Sequence, residues 1–464
     1  MRPRVGSAVR LGALSACLLL PWGAAWGQSA PSPAPGPGQT VPASTPALPL
    51  DQALQLAFAQ NPQLLAARAA VIAAQQNLAV ARTGLAPTIS ANGTGTYGTS
   101  SSTSSTLGGL SAPLAGVTGT GSVSLAASLP LYDGGRTQAN VRAAEAALAS
   151  AQAALRQTEQ DTTLSVATSF FNVLQAERLA TVREALLLQA QAQLALSQAQ
   201  VRAGVAAQSD VIQARALVAQ AQVDLLAARS QIGTSKAGLQ GSIGVDAAAP
   251  VEVQEPPTPP SEVTATAEAV MRAAETTRPE VAKAQAAVSS EQAALDLARV
   301  AAGPQVTVGV GTTYTPFSTS PVLSNATSYG VSATVSLPLY DSGKGQAEIA
   351  AAQAALLSAQ AQLRSQQLAV RQDAYQAYLS AVQAAANIQA TQAAKAAADE
   401  ALRVAEGRYR AGVGTIVELI TARAQAAQAD VNAVNGLYAY ETALATLRHA
   451  EGLPIQASAQ GGGQ

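Results

Sequence analysis

The stretch Ser128 to Leu155, SLPLYDGGRTQANVRAAEAALASAQAAL, returns almost word for word from Ser336 to Leu363 as SLPLYDSGKGQAEIAAAQAALLSAQAQL. The offset is 208 residues, from Tyr132 to Tyr340, and it persists at Arg202 with Arg410 and at Asp210 with Glu418. The chain therefore holds two copies of one unit. A period this long exceeds the ~20–50 residues of solenoid repeats and predicts two halves of one pseudo-symmetric fold.

Working outward from this stretch, Pro130 and Pro338 are expected to end a strand. Asp133-Gly134-Gly135 and Asp341-Ser342-Gly343 then turn the chain into a helix, with Asp capping the N-terminus and Gly permitting positive φ. From Arg136 to Arg202 there is neither Pro nor Gly, so a helix over about 136–202 would run about 100 Å at ~1.5 Å per residue. Val141, Leu148 and Leu155 recur every seven residues, with Ala144 and Ala151 between them; Ile349, Leu356, Leu363, Val370 and Ala377 do the same in the second helix, about 344–410. That spacing predicts a coiled-coil seam. Both helices end at an Ala-Gly-Val tip, Gly204-Val205 and Gly412-Val413, and return helices start near Ser209 and Thr415. The short turns predict antiparallel packing of each pair.

Upstream of each long helix the texture changes. Val306, Val308 and Val310 alternate with Thr307 and Gly309, and Tyr329, Val331, Ala333, Val335 and Leu337 alternate with small or polar residues. Strands are expected at about 304–315 and 329–338, and more weakly at about 87–98 and 117–130. Each has the ~9–11 residues a tilted strand needs to cross a bilayer; a soluble surface hairpin fits the same alternation.

The domain reading follows. Residues 1–27, with Arg2, Arg4 and Arg10 before an apolar run, read as an export signal. Leu14-Ser15-Ala16-Cys17 also resembles a lipobox, which would make Cys17 a lipid-bearing N-terminus. Residues 28–49 are a Pro-rich disordered leader, 50–246 the first repeat, 247–261 a Pro-rich linker, 262–456 the second repeat and 457–464 a disordered tail. Pro87 pairs with Pro304 at an offset of 217 rather than 208, so the first hairpin carries nine extra residues.

Composition narrows function. The 464 residues are 48% hydrophobic but only 3% aromatic, and the apolar share is mostly alanine. This suits long, closely packed helices rather than several compact cores. With 12% charged residues and a net charge of -1, nucleic-acid binding has no electrostatic footprint. One His and one Cys leave no inventory for a cysteine nucleophile or a zinc site. No phosphate loop appears, and no enzymatic activity, metal or cofactor is expected. His449, near the end of the last helix, reads as solvated or dipole-compensating.

The Asn61-Pro62 opening, the two PLYD-(G/S)-G turns and the two Gly-Val tips, each followed six residues after Gly by an acid, together resemble the outer-membrane efflux protein family, the TolC-like exit ducts. The resemblance covers Leu50 to about Pro454. It implies a mainly α fold with a transmembrane β-barrel part: a homotrimer with one 12-stranded outer-membrane barrel, embedded in outer-membrane lipid, continuing into a periplasmic α-helical coiled-coil tunnel. It further implies that the tips, Gly204, Val205, Gly412 and Val413, dock on a periplasmic adaptor (membrane fusion) protein coupled to an inner-membrane transporter. Asp210, Tyr409 and Glu418 match residues that constrict the pore. A second acidic ring would fall at Thr421 and a locking arginine at Gly414, so the expected lock is weaker or uses Arg410. A helix break alone would also explain the glycines, and helix capping the two acids.

The expected function is a passive outer-membrane duct of a tripartite efflux or type I secretion machine, extending into the periplasm. The competing class is an exported trimeric coiled-coil fibre or adhesin without a pore, which would not need two bilayer-length hairpins at equivalent places.

Overall fold

The computed structural model describes residues 48–103, 113–204, 207–247, 249–255, 263–318 and 326–454. Cys17 and the expected signal, most of the leader, Val205 and the tail lie outside them. In chain order the elements are α1 (Leu50–Gln60), α2 (Pro62–Arg82), β1 (Thr88–Thr103), β2 (Pro113–Tyr132), α3 (Arg136–Arg202), α4 (Gln208–Ile243), α5 (Ala267–Thr277), α6 (Pro279–Val300), β3 (Gln305–Ser318), β4 (Ala326–Ser336), α7 (Lys344–Arg410) and α8 (Ile416–Ala450).

The two long helices, α3 and α7, are 67 residues each. Each begins where an aspartate two residues upstream of the N-cap glycine folds back on the first turn. Asp133 Oδ1 accepts from the Gly135 N–H at 2.9 Å and Oδ2 from the Thr137 N–H at 2.6 Å. Asp341 repeats this on Gly343 and Gly345 at 3.0 and 2.7 Å. Slight burial alone would raise the Asp133 carboxyl, but the hydrogen bonds from Thr137 and Gly135 hold it below its ordinary value.

Helix α3 packs against α2, α4, α6 and α8, whereas α7 packs against α5, α6 and α8. On the strand side the helices form a row α2–α3–α6–α7, and on the far side a row α4–α3–α8–α7. The largest core lies on α3, where Val166, Phe170 and Val173 are fully buried against Leu50 and Leu54 of α1, Leu239 and Ile243 of α4 and Tyr438 of α8. A second core joins Val270, Val281, Val370 and Leu447 from α5, α6, α7 and α8. In α7 the seam at Ile349, Leu356, Leu363, Val370 and Ala377 deepens from half-buried to buried along its length; in α3 the fully buried heptad positions are Ala139, Ala146 and Ala153. Pro62–Leu85 is apolar and long enough by composition to cross a membrane. Its alanines make it so, and it lies along α3.

The four strands form one antiparallel sheet in the order β1-β2-β3-β4. Register sorts its two faces. Ile89, Ala127, Val310 and Val331 are directly paired across all four strands, and three residues along, Asn92, Ser124, Thr313 and Ser328 form a polar row on the opposite face.

Three boundaries differ from those expected. The strands are 16, 20, 14 and 11 residues rather than uniformly bilayer-length. In β1 the added residues are Ser and Thr, which carry no alternation yet still pair. Pro130 does not end β2: the strand passes it to Tyr132 through a register shift, as expected where a residue lacks an N–H. The edge strand β4 stops at Ser336, before Pro338. The linker is not free either. Leu48 and Val253 form a parallel bridge, and Glu255 ion-pairs with Arg178 of α3 and accepts from the Tyr438 hydroxyl of α8 at 3.3 Å. Burial and this neighbouring carboxylate push the Tyr438 phenol up to about 12.

Candidate functional site

Hydrophobic pairing brings the ends of α3 and α7 and the starts of α4 and α8 to one end of the helical region. Gly204 and Gly412 both have φ of +74°, and a Cβ at either would meet nothing within 4 Å. The left-handed backbone is what demands glycine there, since it reverses the chain and lets the Gly204 and Gly412 N–H groups donate to the carbonyls of Val201 and Tyr409 at 3.0 and 3.1 Å. Both glycines are exposed, as is Val413 at 71%; Val205 lies outside the described residues.

Tyr409 occupies the last turn of α7, packed on Leu419 and Ala405. Its hydroxyl donates to Gln200 Oε1 of α3 at 2.8 Å, bridging the two repeats. Asp210 sits half-buried in the first turn of α4, where Ser209 Oγ donates to it at 3.2 Å. Within one chain the structure therefore joins Tyr409 to Gln200 rather than to Asp210. Glu418 lies in the first turn of α8; its N–H is capped by Thr415 Oγ1 at 3.2 Å and its carboxylate meets Arg408 Nη1 at 2.9 Å.

Arg408 lies beside Gly414, the position at which an arginine was expected. A Cβ on Gly414 would fall 3.1 Å from Arg408 Cβ and from the Tyr409 nitrogen. Arg410, the expected substitute, pairs with Glu406 one turn back at 3.4 Å, whereas Arg408 reaches Glu418 of the other helix. Being half-exposed, that pair stabilises the tip by at most ~1 kcal/mol. Thr421 is exposed, its hydroxyl donating to the Val417 carbonyl at 2.9 Å. Neither Gln200 nor Arg408 was identifiable from the sequence, because Gln200 acts through a contact that crosses the repeats and Arg408 through one that crosses from α7 to α8. His449 is not solvated: it is 14% exposed and its Nε2 lies 2.9 Å from Asp161 of α3. Among the described residues, no group of three or more His, Cys, Asp or Glu could hold a metal.

Four antiparallel strands of 11 to 20 residues with one apolar row, joined to helices of 67 residues that end in a glycine tip, define the chain of an outer-membrane channel fold. The chain belongs to the outer membrane efflux protein family, which matches residues 53–245 and 270–453, one block in each repeat. It is 30% identical over 195 residues to the outer membrane efflux protein BepC of Brucella suis, covering 42% of this chain and 40% of that protein. It is 29% identical over 298 residues to the protein CyaE of Bordetella pertussis, covering 63% and 62%. The chain thus spans less than two thirds of either relative's length. Its fold is similar to that of the open-state MtrE outer membrane channel of Neisseria gonorrhoeae, with a TM-score of 0.70 and 21% identity over 89% of this chain and 91% of that one.

Proposed function

We propose that three copies of this chain close into a passive exit duct, a 12-stranded barrel in the outer membrane continuing into a periplasmic helical tunnel. The observation that carries this reading is that sheet and helices run out at the same two edges. The sheet ends on β1 and β4, and the helical row beside it on α2 and α7, the helices adjoining those strands in the chain. Four strands cannot close a transmembrane barrel, and an open edge in lipid leaves backbone groups unpaired. Both end helices carry uncovered apolar side chains suited to another copy: Leu65, Ile72 and Val80 on α2, and Leu368, Tyr375, Leu379 and Val382 on α7, the latter 41% to 60% exposed at coiled-coil spacing.

Electron microscopy of the detergent-purified protein tests this. A three-fold tube with a stem on the order of 100 Å is expected; a thin rod without a channel would place the chain among fibres.

At the tip, the exposed glycine turns are the surface for a periplasmic adaptor serving an inner-membrane transporter, and Asp210, Tyr409 and Glu418 form the aperture. Three-fold repetition would turn each acid into a ring, focusing a negative potential that favours cations. Replacing Gly204 and Gly412 by Trp should abolish adaptor crosslinking while leaving the oligomer intact. Asp210→Asn with Glu418→Gln should lower cation preference in bilayer recordings, and unchanged selectivity would remove both from the pore. Incorporation of labelled palmitate, lost in Cys17→Ser, tests the alternative processing of the leader.

A further inference from the structure

Each of the four places where helix meets sheet carries one cation in the terminal turn of its helix: Arg82 ends α2, Arg136 starts α3, Arg299 ends α6 and Lys344 starts α7. All four are exposed. The acids of the adjoining turns, Asp133 and Asp341, are committed, both oxygens of each accepting backbone N–H groups. Helix polarity favours Arg82 and Arg299 at C-terminal ends but opposes Arg136 and Lys344 at N-terminal ones, and neither first turn holds an acid. Arg82, Arg299 and Lys344 reach Glu145, Asp296 and Glu348, each at 3.6 Å, whereas Arg136 reaches no acid among the described residues. Local structure thus gives no reason for a cation at the start of α3 and again at the start of α7.

The sheet supplies one. Tyr132 pairs with Val306 and Val306 with Val335, and the two-residue period puts this layer on the apolar face of Val310 and Val331. Tyr314 and Tyr329 stand on the same face toward the other end of the strands. From Val306 to Tyr314 the strand runs about 27 Å, roughly 20 Å along the membrane normal at a tilt of ~40°. Tyrosines therefore bound a band of nearly the ~25 Å that faces lipid in outer-membrane barrels. Leu131 and Tyr132 are 57% and 51% exposed although β2 and α3 are interior elements, and their equivalents Leu339 and Tyr340 are more exposed still. Tyrosine at the rim of such a band rests at headgroup level, which sets the four cations at the depth of the lipid phosphates on the periplasmic side.

We infer that this collar binds anionic phospholipid of the periplasmic leaflet, the phosphate drawn to Arg136 and Lys344 and the acyl chains lying against Leu131 and Tyr132 and against Leu339 and Tyr340. Charge and continuity fix the occupant. The four terminal turns and the two strand-to-helix turns hold four cations against two capping aspartates, and the apolar face of the sheet runs into them without a break. A free phosphate answers only the charge, and a zwitterionic lipid answers mainly the apolar surface. The inference rests on the outer-membrane placement of the sheet and not on closure into a duct.

Native mass spectrometry tests it. The full-length protein, delipidated in detergent, is titrated with phosphatidylglycerol or with phosphatidylcholine of the same acyl chains, and retained lipids are counted on each oligomer. The oligomer's mass reports on the duct and the adducts report on the collar, so either reading can fail alone. Phosphatidylglycerol should bind more tightly, and its preference should fall about fivefold with Arg136→Gln and about fivefold again when Lys344→Gln is added. The thermal stability of these variants should not fall, because a helix N-terminus gains from losing a positive charge; a purely structural role would lower it and leave the preference intact. Arg403→Gln, on α7 far from the sheet, should leave the preference unchanged. Equal retention of the two lipids, a preference that survives both collar substitutions, or one lost equally in Arg403→Gln would overturn the site. Displacement of phosphatidylglycerol by millimolar glycerol phosphate would show a site for free phosphate and overturn the lipid.

Discussion

Helices α3 and α7 have the same length and the same starting motif at an offset of 208 residues, yet the fold uses them differently. Helix α3 is interior in both helical rows, and fourteen of its residues are buried, including Phe170 and Phe171. Helix α7 is the end of both rows and buries six residues, five of them alanine. At the position equivalent to Phe171, which is 6% exposed, α7 presents Leu379 at 47%. Duplication supplies equal halves; a linear arrangement of those halves makes one helix a core and the other a border. The border keeps apolar side chains because, in the trimer proposed above, another copy covers them.

The largest expected effect breaks this comparison directly. Phe171→Ala should cost about 3–5 kcal/mol, the range for emptying an aromatic from a packed core. Urea unfolding of the detergent-solubilised protein, followed by circular dichroism, measures it. Leu379→Ala should leave the fold of a single chain nearly unchanged and instead lower the temperature at which the oligomer dissociates on a denaturing gel. Equal losses of fold stability from the two substitutions would mean that α7 is covered within its own chain.

A second contrast lies where the short helices restart. In the first repeat Asn61 caps α2: its Oδ1 accepts from the Gln63 N–H at 2.8 Å and its Nδ2 donates to the Ser242 carbonyl at 2.9 Å. In the second repeat the equivalent Arg278 is 7% exposed and forks onto Glu280 at 2.9 and 2.6 Å. Removing one member of a buried pair strands the other, so Arg278→Ala should cost about 3–5 kcal/mol, against ~1 kcal/mol for Asn61→Ala. The two also differ with pH. Burial raises the Glu280 carboxyl, but the Arg278 hydrogen bonds outweigh it and hold the group below its ordinary value. A depressed folded pKa stabilises above the unfolded value and loses that stability as pH falls through the folded one. The pair should therefore contribute fully at neutral pH and fade below about pH 4.3. Arg278→Ala should flatten that acid limb, whereas Asn61→Ala should leave its slope unchanged.

These contrasts mark what the sequence could disclose. The paired SLPLYD stretches, the Pro- and Gly-free run from Arg136 to Arg202 and the alternation at Val306, Val308 and Val310 are local signals, and they carry the mixed helix-and-strand fold. The inequality of α3 and α7 is not legible in the repeated motif: it arises from which element lies beside which, and the opening turns of the two helices are alike. The same holds for Leu48 with Val253, Tyr409 with Gln200 and Arg408 with Glu418, each pairing distant or separately read residues. At the tip, the glycines at 204 and 412 were readable because a left-handed turn restricts residue type. The cation facing Glu418 was not, since an arginine two positions away satisfies the same chain of reasoning.

The smallest predicted effect sharpens the comparison within the motif that first revealed the repeat. Gly134 and Ser342 hold equivalent places in the two strand-to-helix turns, with φ of +71° and +58°. A side chain in this left-handed region crowds its own carbonyl, at a cost of roughly 1 kcal/mol that glycine avoids. Ser342→Gly should therefore stabilise the protein, by ~0.5 kcal/mol once glycine's greater freedom in the unfolded chain is subtracted. Gly134→Ser should destabilise it by a similar amount, because a Cβ there meets the Pro304 and Val300 carbonyl oxygens no closer than 3.5 Å, an ordinary contact, and only the backbone resists. Paired urea titrations read both signs. A loss of stability in Ser342→Gly would mean that the serine hydroxyl contributes more to the second turn than its backbone strain removes, and the two turns would then be held by different forces despite sharing the Asp cap.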